Sequence, residues 1–200
     1  MNQKAMFQLT YGLFVLSAKE GAKQNGCIIN TAMQVTSDPL RISITVNKGN
    51  LTCEMIDKTG EFNVSVLTEK TAFEVFRHFG FQSGRTVDKF AGWGFKETAD
   101  NGIFYLTNCT NAYISGKVIQ KLDLGTHMMF IADVTAAEVL SKEPSVTYTY
   151  YQQNIKPKPE EKKKSGYTCT ICGYVYEGDE LPADFICPIC KHGAEAFVKN

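Results

Sequence analysis

Four of the chain's seven cysteines fall in one short stretch, as Cys169-x2-Cys172, fourteen residues, then Cys187-x2-Cys190. Two C-x2-C knuckles at that separation are, by spacing alone, a tetrahedral four-thiolate metal site. A segment this small cannot build a large core. The metal, with Tyr167, Tyr174, Tyr176, Phe185 and Phe197, must hold it together. Tetrahedral sulfur suits iron or zinc, and spacing does not choose between them. Cys27, Cys53 and Cys109 are scattered singly and read as small buried apolar residues.

The metal stretch is set off from the rest of the 200 residues by a change in composition. Residues 152–165 hold two prolines and many charges and, past Ile155, no large apolar side chain, so they read as a flexible linker. As a coil such a tether spans roughly 20 Å. The expected organisation is a main domain over 1–151, the linker over 152–165 and a metal module over 166–200. Net charge is zero, from 21 basic and 21 acidic residues. A nucleic-acid partner would call for a basic excess, and nothing in the balance suggests a membrane surface. The sum conceals a polarity. Residues 1–155 carry 14 of each sign, residues 156–164 sum to +3 and residues 165–200 to −3. No apolar run is long enough for a membrane span, and the N-terminus lacks the pattern of a secretory signal. A cytoplasmic, reducing location is expected.

In the main domain, alternating and branched apolar runs predict strands over 12–18, 27–35, 40–46, 61–67, 112–120 and 127–134. Helical periodicity appears over 51–59 and 71–79. Many short strands with few helices predict a mainly β fold built on an antiparallel barrel. Phosphate-binding glycine motifs, nucleophile elbows and zinc-protease motifs are missing. Only three histidines are present, and His192 belongs to the metal module. Chemistry in this domain therefore points to a cofactor. Trp93, in a Gly-rich loop, reads as core or interface packing, with capping of the site as the other reading.

Two resemblances sharpen this picture. The run Y-x-C-x-x-C-G-Y-V-Y, the later L-P-x-x-F-x-C-P-x-C and the terminal Phe197 resemble rubredoxin, in its trimmed form at the end of rubrerythrins. That resemblance implies one iron, ferric or ferrous, on Cys169, Cys172, Cys187 and Cys190. Lys191 departs from it, standing where Gly commonly follows the second knuckle. In the main domain, NGCIINTAMQVTSDPLRISITVNKGNLT, EFNVSVL, FGFQSGRTVDKF and LDLGTHMMFIADV resemble, in order, the flavin reductase-like domains. These are FMN-binding Greek-key split barrels, and the match runs over about residues 5–150.

The flavin resemblance implies FMN, with NADH or NADPH as electron donor. It places Asn30, Thr31 and Ala32 against the flavin ring. Phosphate contacts would come from Asn47, Lys48, Asn50 and Thr52 at a strand-to-helix transition, and from Ser83, Gly84 and Lys89. His127 would face the nicotinamide side. Thr126 stands where the family has Asp. The two-part chain is similar to the high-molecular-weight rubredoxins, which implies a homodimer and a flavodiiron protein, reducing oxygen or nitric oxide, as acceptor. A flavin or ferric reductase that releases its product, and a zinc-ribbon binding protein, are the alternatives.

Overall fold

The structure, a computed structural model, describes residues 2–157 and 166–200. It divides into two compact units, Met1–Lys156 and Pro157–Asn200.

The first unit is built on β1 (Phe14–Glu20), β2 (Lys23–Ile29), β3 (Ala32–Ser37), β4 (Leu40–Asn47), β5 (Glu61–Leu67), β6 (Lys96–Thr98), β7 (Phe104–Leu106), β8 (Thr110–Asp123) and β9 (His127–Val139). Seven of these form one antiparallel sheet in the order β2-β1-β5-β8-β9-β4-β3, and β6 pairs with β7. The two edge strands of the seven, β2 and β3, are consecutive in the chain and separated only by Asn30 and Thr31. The sheet must therefore curl until its edges approach, yet they share no ladder. This is a barrel split along one seam, as expected for the family. Residues 27–35, read from sequence as one strand, are two strands broken at that seam. An unbroken apolar run does not reveal a sheet boundary, because strands on both sides bury side chains.

Two helices pack on the β1–β2 side of the sheet. α1 (Leu51–Thr59) begins where β4 ends and stops at Gly60, whose N–H still closes on the Ile56 carbonyl and whose φ of 75° turns the chain out of the helix. α2 (Phe73–Gly80) buries Val75, Phe76 and Phe79. Two cores result, because β1 is buried on both faces. Leu16 and Ala18 join Ile44, Phe62, Val64, Phe130 and Ile56 in one cluster. Leu13 and Val15 join Leu67, Phe76, Phe79 and Phe90 in the other. Each fully buried Phe or Leu contributes about 1.5–3 kcal/mol.

β8 and β9 run well beyond their sequence-derived limits. Their far ends expose Ile119, Leu122 and Val139, so no clean inside–outside alternation marks them. Two register shifts, at Ser115/Gly116 and Val118/Gln120, blur it further. The first unit also ends later than the sequence suggested. A helical turn over Tyr151–Ile155 packs Tyr151 and Ile155 on the second core, so residues 152–156 belong to it. Most of the expected linker, residues 158–165, lies outside the described residues.

The second unit is a three-stranded sheet in the order β11-β10-β12, from β10 (Tyr167–Cys169), β11 (Val175–Tyr176) and β12 (Phe197–Lys199). Its core is Cys169, Cys187 and Phe197, with Tyr174, Tyr176 and Phe185 packed around them. Phe185 meets Phe197 edge-on at 5.4 Å. The aromatic density of the sequence is thus spent on walling the cysteines.

Candidate functional site: a four-sulfur centre and a two-cavity seam

The sulfurs of Cys169, Cys172, Cys187 and Cys190 all lie within 4.8 Å of one another. Cys169 and Cys190 stand 3.6 Å apart, and Cys172 and Cys187 3.5 Å. A tetrahedral ion with metal–sulfur bonds of about 2.3 Å needs sulfurs at about 3.8 Å, so the cage fits. The two knuckles repeat each other. The N–H groups of Ile171 and Cys172 face the Cys169 sulfur, as those of Ile189 and Cys190 face Cys187. Tyr174 N–H faces Cys172, and His192 N–H faces Cys190. In each knuckle the first sulfur is buried and the second is more open.

The proton affinities of the thiols also point to a cation. Burial opposes ionisation of Cys187. The N–H groups of Cys190 and Ile189 and the neighbouring thiols outweigh it and bring Cys187 down to about 6. At Cys190 the His192 N–H favours the thiolate, but burial and the other three sulfurs push it up to about 12. Backbone donors stabilise some of the charge, and four thiolates together require a bound cation.

In the barrel, the candidate residues gather at two cavities along β4. One, of about 320 Å³, opens at the seam and is lined by Asn30, Thr31, Ala32, Met33, Ser43, Thr45 and Met129 with the segment 9–12. Thr31 is held by β4, its hydroxyl donating to the Thr45 carbonyl at 2.5 Å. The other, of about 200 Å³, lies just past the end of β4. Asn25, Cys27, Gly49, Asn50, Leu51, Ser83, Gly84 and Lys89 line it, with residues 80–82. Asn50 caps α1 without a side-chain hydrogen bond, so the helix turns its free first-turn N–H groups toward this space.

Lys89 is the informative group. It is only 2% exposed, and its ammonium donates to the carbonyls of Gly26 at 2.9 Å and Phe79 at 2.8 Å. No carboxylate pairs with it among the described residues. Burial lowers its pKa, with Cys27 acting the other way. Burial likewise raises the Cys27 thiol, which keeps it neutral. A buried cation satisfied only by neutral carbonyls, on a cavity wall beside a helix N-terminus, is an arrangement suited to an anion.

Other sequence candidates sit behind or beside these cavities. Thr52 is fully buried and accepts from the Asn25 amide at 2.8 Å, so it supports the wall. Lys48 pairs with Asp123 at 2.5 Å. Asn47 shapes the turn into α1, its carboxamide oxygen accepting from Gly49 N at 2.8 Å. His127 lies opposite Asn47 in the β4–β9 ladder, two residues from Met129 on the same face. Its Nδ1 sits 2.8 Å from the Thr126 hydroxyl. Trp93 packs on His78, ring to ring at 4.7 Å, and lines neither cavity.

Sequence reasoning missed Asn25. It is buried, and a Cβ on Gly84 would come within 2.1 Å of its amide. The glycine thus lets the 83–89 loop close on Asn25. Local sequence offered no signal, because Asn25 lies in the polar opening of β2, Lys23-Gln24-Asn25-Gly26, ahead of the apolar run.

Comparisons with known proteins agree with the fold and the two-part organisation. Residues 6–158 match the family described as flavin reductase like domain, and residues 167–198 the rubrerythrin, rubredoxin-like domain. A high molecular weight rubredoxin of Moorella thermoacetica is 40% identical, the match covering 98% of this chain and 99% of that one. A ferric-chelate reductase (NAD(P)H) of Archaeoglobus fulgidus is 34% identical over 79% of this chain and 93% of its own. Among solved structures, an FMN-binding protein of Thermus thermophilus superposes with a TM-score of 0.63 at 19% identity, covering 70% of this chain and 82% of that one. Fold and four-sulfur cage thus coincide with the matched domains: the chain belongs to the flavin reductase-like family, as an NAD(P)H-dependent flavin oxidoreductase with a C-terminal rubredoxin-like iron domain.

Proposed function

We propose that this chain passes electrons from NADH or NADPH through FMN to its own four-thiolate iron, and from there to a separate flavodiiron protein that reduces oxygen or nitric oxide. The observation that supports this most is the fusion itself, a flavin-type barrel and a one-electron metal cage in one chain. When bound, flavin takes a hydride as an electron pair and releases the electrons singly, which suits an iron that cycles between two charges.

The chain's own residues hold and orient. Lys89, Ser83, Gly84, Asn50 and the N-terminus of α1 would bind the phosphate. Asn30, Thr31 and Ala32 at the seam would lie along the ring. Asn47, Lys48 and Thr52 would brace the β4–α1 corner from outside the cavities. His127, between the cavities on β9, would border the nicotinamide. The seam also supports a homodimer, because a second copy there would shield the ring from water. We place the chain's action in the cytoplasm, where thiols stay reduced; no helix among the described residues is long and apolar enough to cross a membrane.

The relative that matches only the barrel is a ferric-chelate reductase, and this favours a second reading in which reduced product leaves from the flavin and the iron module is peripheral. Anaerobic rapid mixing with NADH, following both chromophores, separates the two. The proposal expects flavin bleaching followed by loss of the ferric–thiolate colour. A ferric centre that persists over many flavin turnovers would establish the second reading.

A further inference from the structure

The two knuckles of the metal module are equivalent in backbone and nearly so in sequence. Each places Ile before its second cysteine, at Ile171 and Ile189, and each aims the same set of N–H groups at sulfur. In each, the residue after the second cysteine closes the turn. Gly173 N–H donates to the Cys169 carbonyl at 2.9 Å, and Lys191 N–H to the Cys187 carbonyl at 3.0 Å. Both residues are left-handed, with φ of 76° and 61°. The left-handed turn is what swings the following N–H, of Tyr174 or His192, back onto the outer sulfur.

Glycine adopts that conformation freely and lysine does not. The backbone therefore gives no reason for lysine. Side-chain contacts give none either. Lys191 is exposed, and among the described residues its side chain has no hydrogen bond, ion pair or ring contact. What distinguishes it is its charge and its place, directly after the ligand Cys190. The rest of the module is acidic, through Glu177, Asp179, Glu180, Asp184 and Glu195. The other cation, Lys199, lies over the Tyr167 ring.

We propose that Lys191 is an electrostatic tuning residue that raises the reduction potential of the iron centre. Four thiolates on ferric iron carry a net charge of about −1, and uptake of one electron makes it about −2. A cation beside Cys190 favours the more negative state and so makes the centre a better acceptor for electrons from the flavin. The Lys191 backbone is tied to the cage by its bond to the Cys187 carbonyl, so the ammonium stays within one side chain's reach of the centre. The inference rests on the one-electron reading of the module.

The test is potentiometry of the ferric–thiolate absorption in the full chain, with FMN and iron bound, at low and high ionic strength. Lys191→Gln and Lys191→Gly are expected to shift the potential to more negative values, with the shift shrinking as salt rises. Lys191→Arg should hold the wild-type potential. Lys191→Gly should also raise the melting temperature of the module above that of Lys191→Gln, since it alone relieves the turn. A red, redox-active centre whose potential is the same in Lys191→Gln and wild type overturns the inference and leaves the electron route standing. A centre with no redox wave overturns both.

Discussion

Lys89 shows how far a single residue's chemistry can be followed. Its ammonium is buried against two carbonyls and leaves one donor for an anion in the cavity. A charge-assisted hydrogen bond of this kind contributes about 1.5–3 kcal/mol. Lys89→Met, which keeps the apolar stem, should therefore weaken FMN retention about ten- to hundredfold, read by fluorescence of flavin released on dilution. Unchanged retention would remove Lys89 from the phosphate site. Its lowered pKa adds a dependence on pH with a definite sign. In the flavin-free protein the unfolded chain holds the proton more tightly, so stability should rise with pH through the window just below the ordinary lysine value. FMN affinity should fall over that same window, because the ammonium is lost. Melting curves and flavin binding measured across it should move in opposite directions. Parallel movement would mean that another group dominates. The resemblance already named Lys89 as a phosphate contact, but its burial and its carbonyl partners were not visible in the sequence. Its significance comes from β2 and the end of α2 closing over it.

At the scale of elements, the knuckles were legible from spacing because their geometry is local. Two cysteines three apart, with backbone donors between them, make half a cage wherever they occur. Cys172→Ser should accordingly act locally. Iron content and the ferric–thiolate colour should drop sharply, while NADH still bleaches the flavin at close to the wild-type rate. Loss of flavin reduction as well would show that the two units do not function separably. The helix α1 was read correctly because it has one buried face, and the strand β5 because Phe62, Val64 and Val66 alternate with polar residues, although Asn63 and Ser65 are buried too. The seam between β2 and β3 was not. Residues 27–35 are apolar on either side of Asn30 and Thr31, and only the pairing of β3 with β4 and of β2 with β1 reveals that the strand breaks. The long ends of β8 and β9 escaped for the opposite reason, because they are exposed and irregular.

Over the whole molecule, the zero net charge resolves into a neutral barrel, a basic tether and an acidic metal module. An acidic module steers toward a basic surface on its acceptor. The rate of electron delivery to the acceptor protein should fall steeply as ionic strength rises, while the NADH-to-flavin step changes little. Stopped-flow measurement of both steps in one salt series checks this, and equal salt dependence would locate the charge effect elsewhere. The distribution of charge was fully readable from the chain, since it requires only addition.

The sequence by itself determined the metal cage, the mainly β class, the two-part organisation and the family. Each depends on local spacing, local periodicity or ordered motifs, which survive without knowledge of the fold. The tertiary structure decided which candidates share a cavity. It brought Asn25, Asn50, Ser83, Gly84 and Lys89 together from β2, the start of α1 and the loop after α2, and it set Lys48 on Asp123 and Thr52 behind Asn25. Those assignments depend on contacts between residues far apart in the chain, which follow from how the sheet curls and are recorded in no single stretch of sequence.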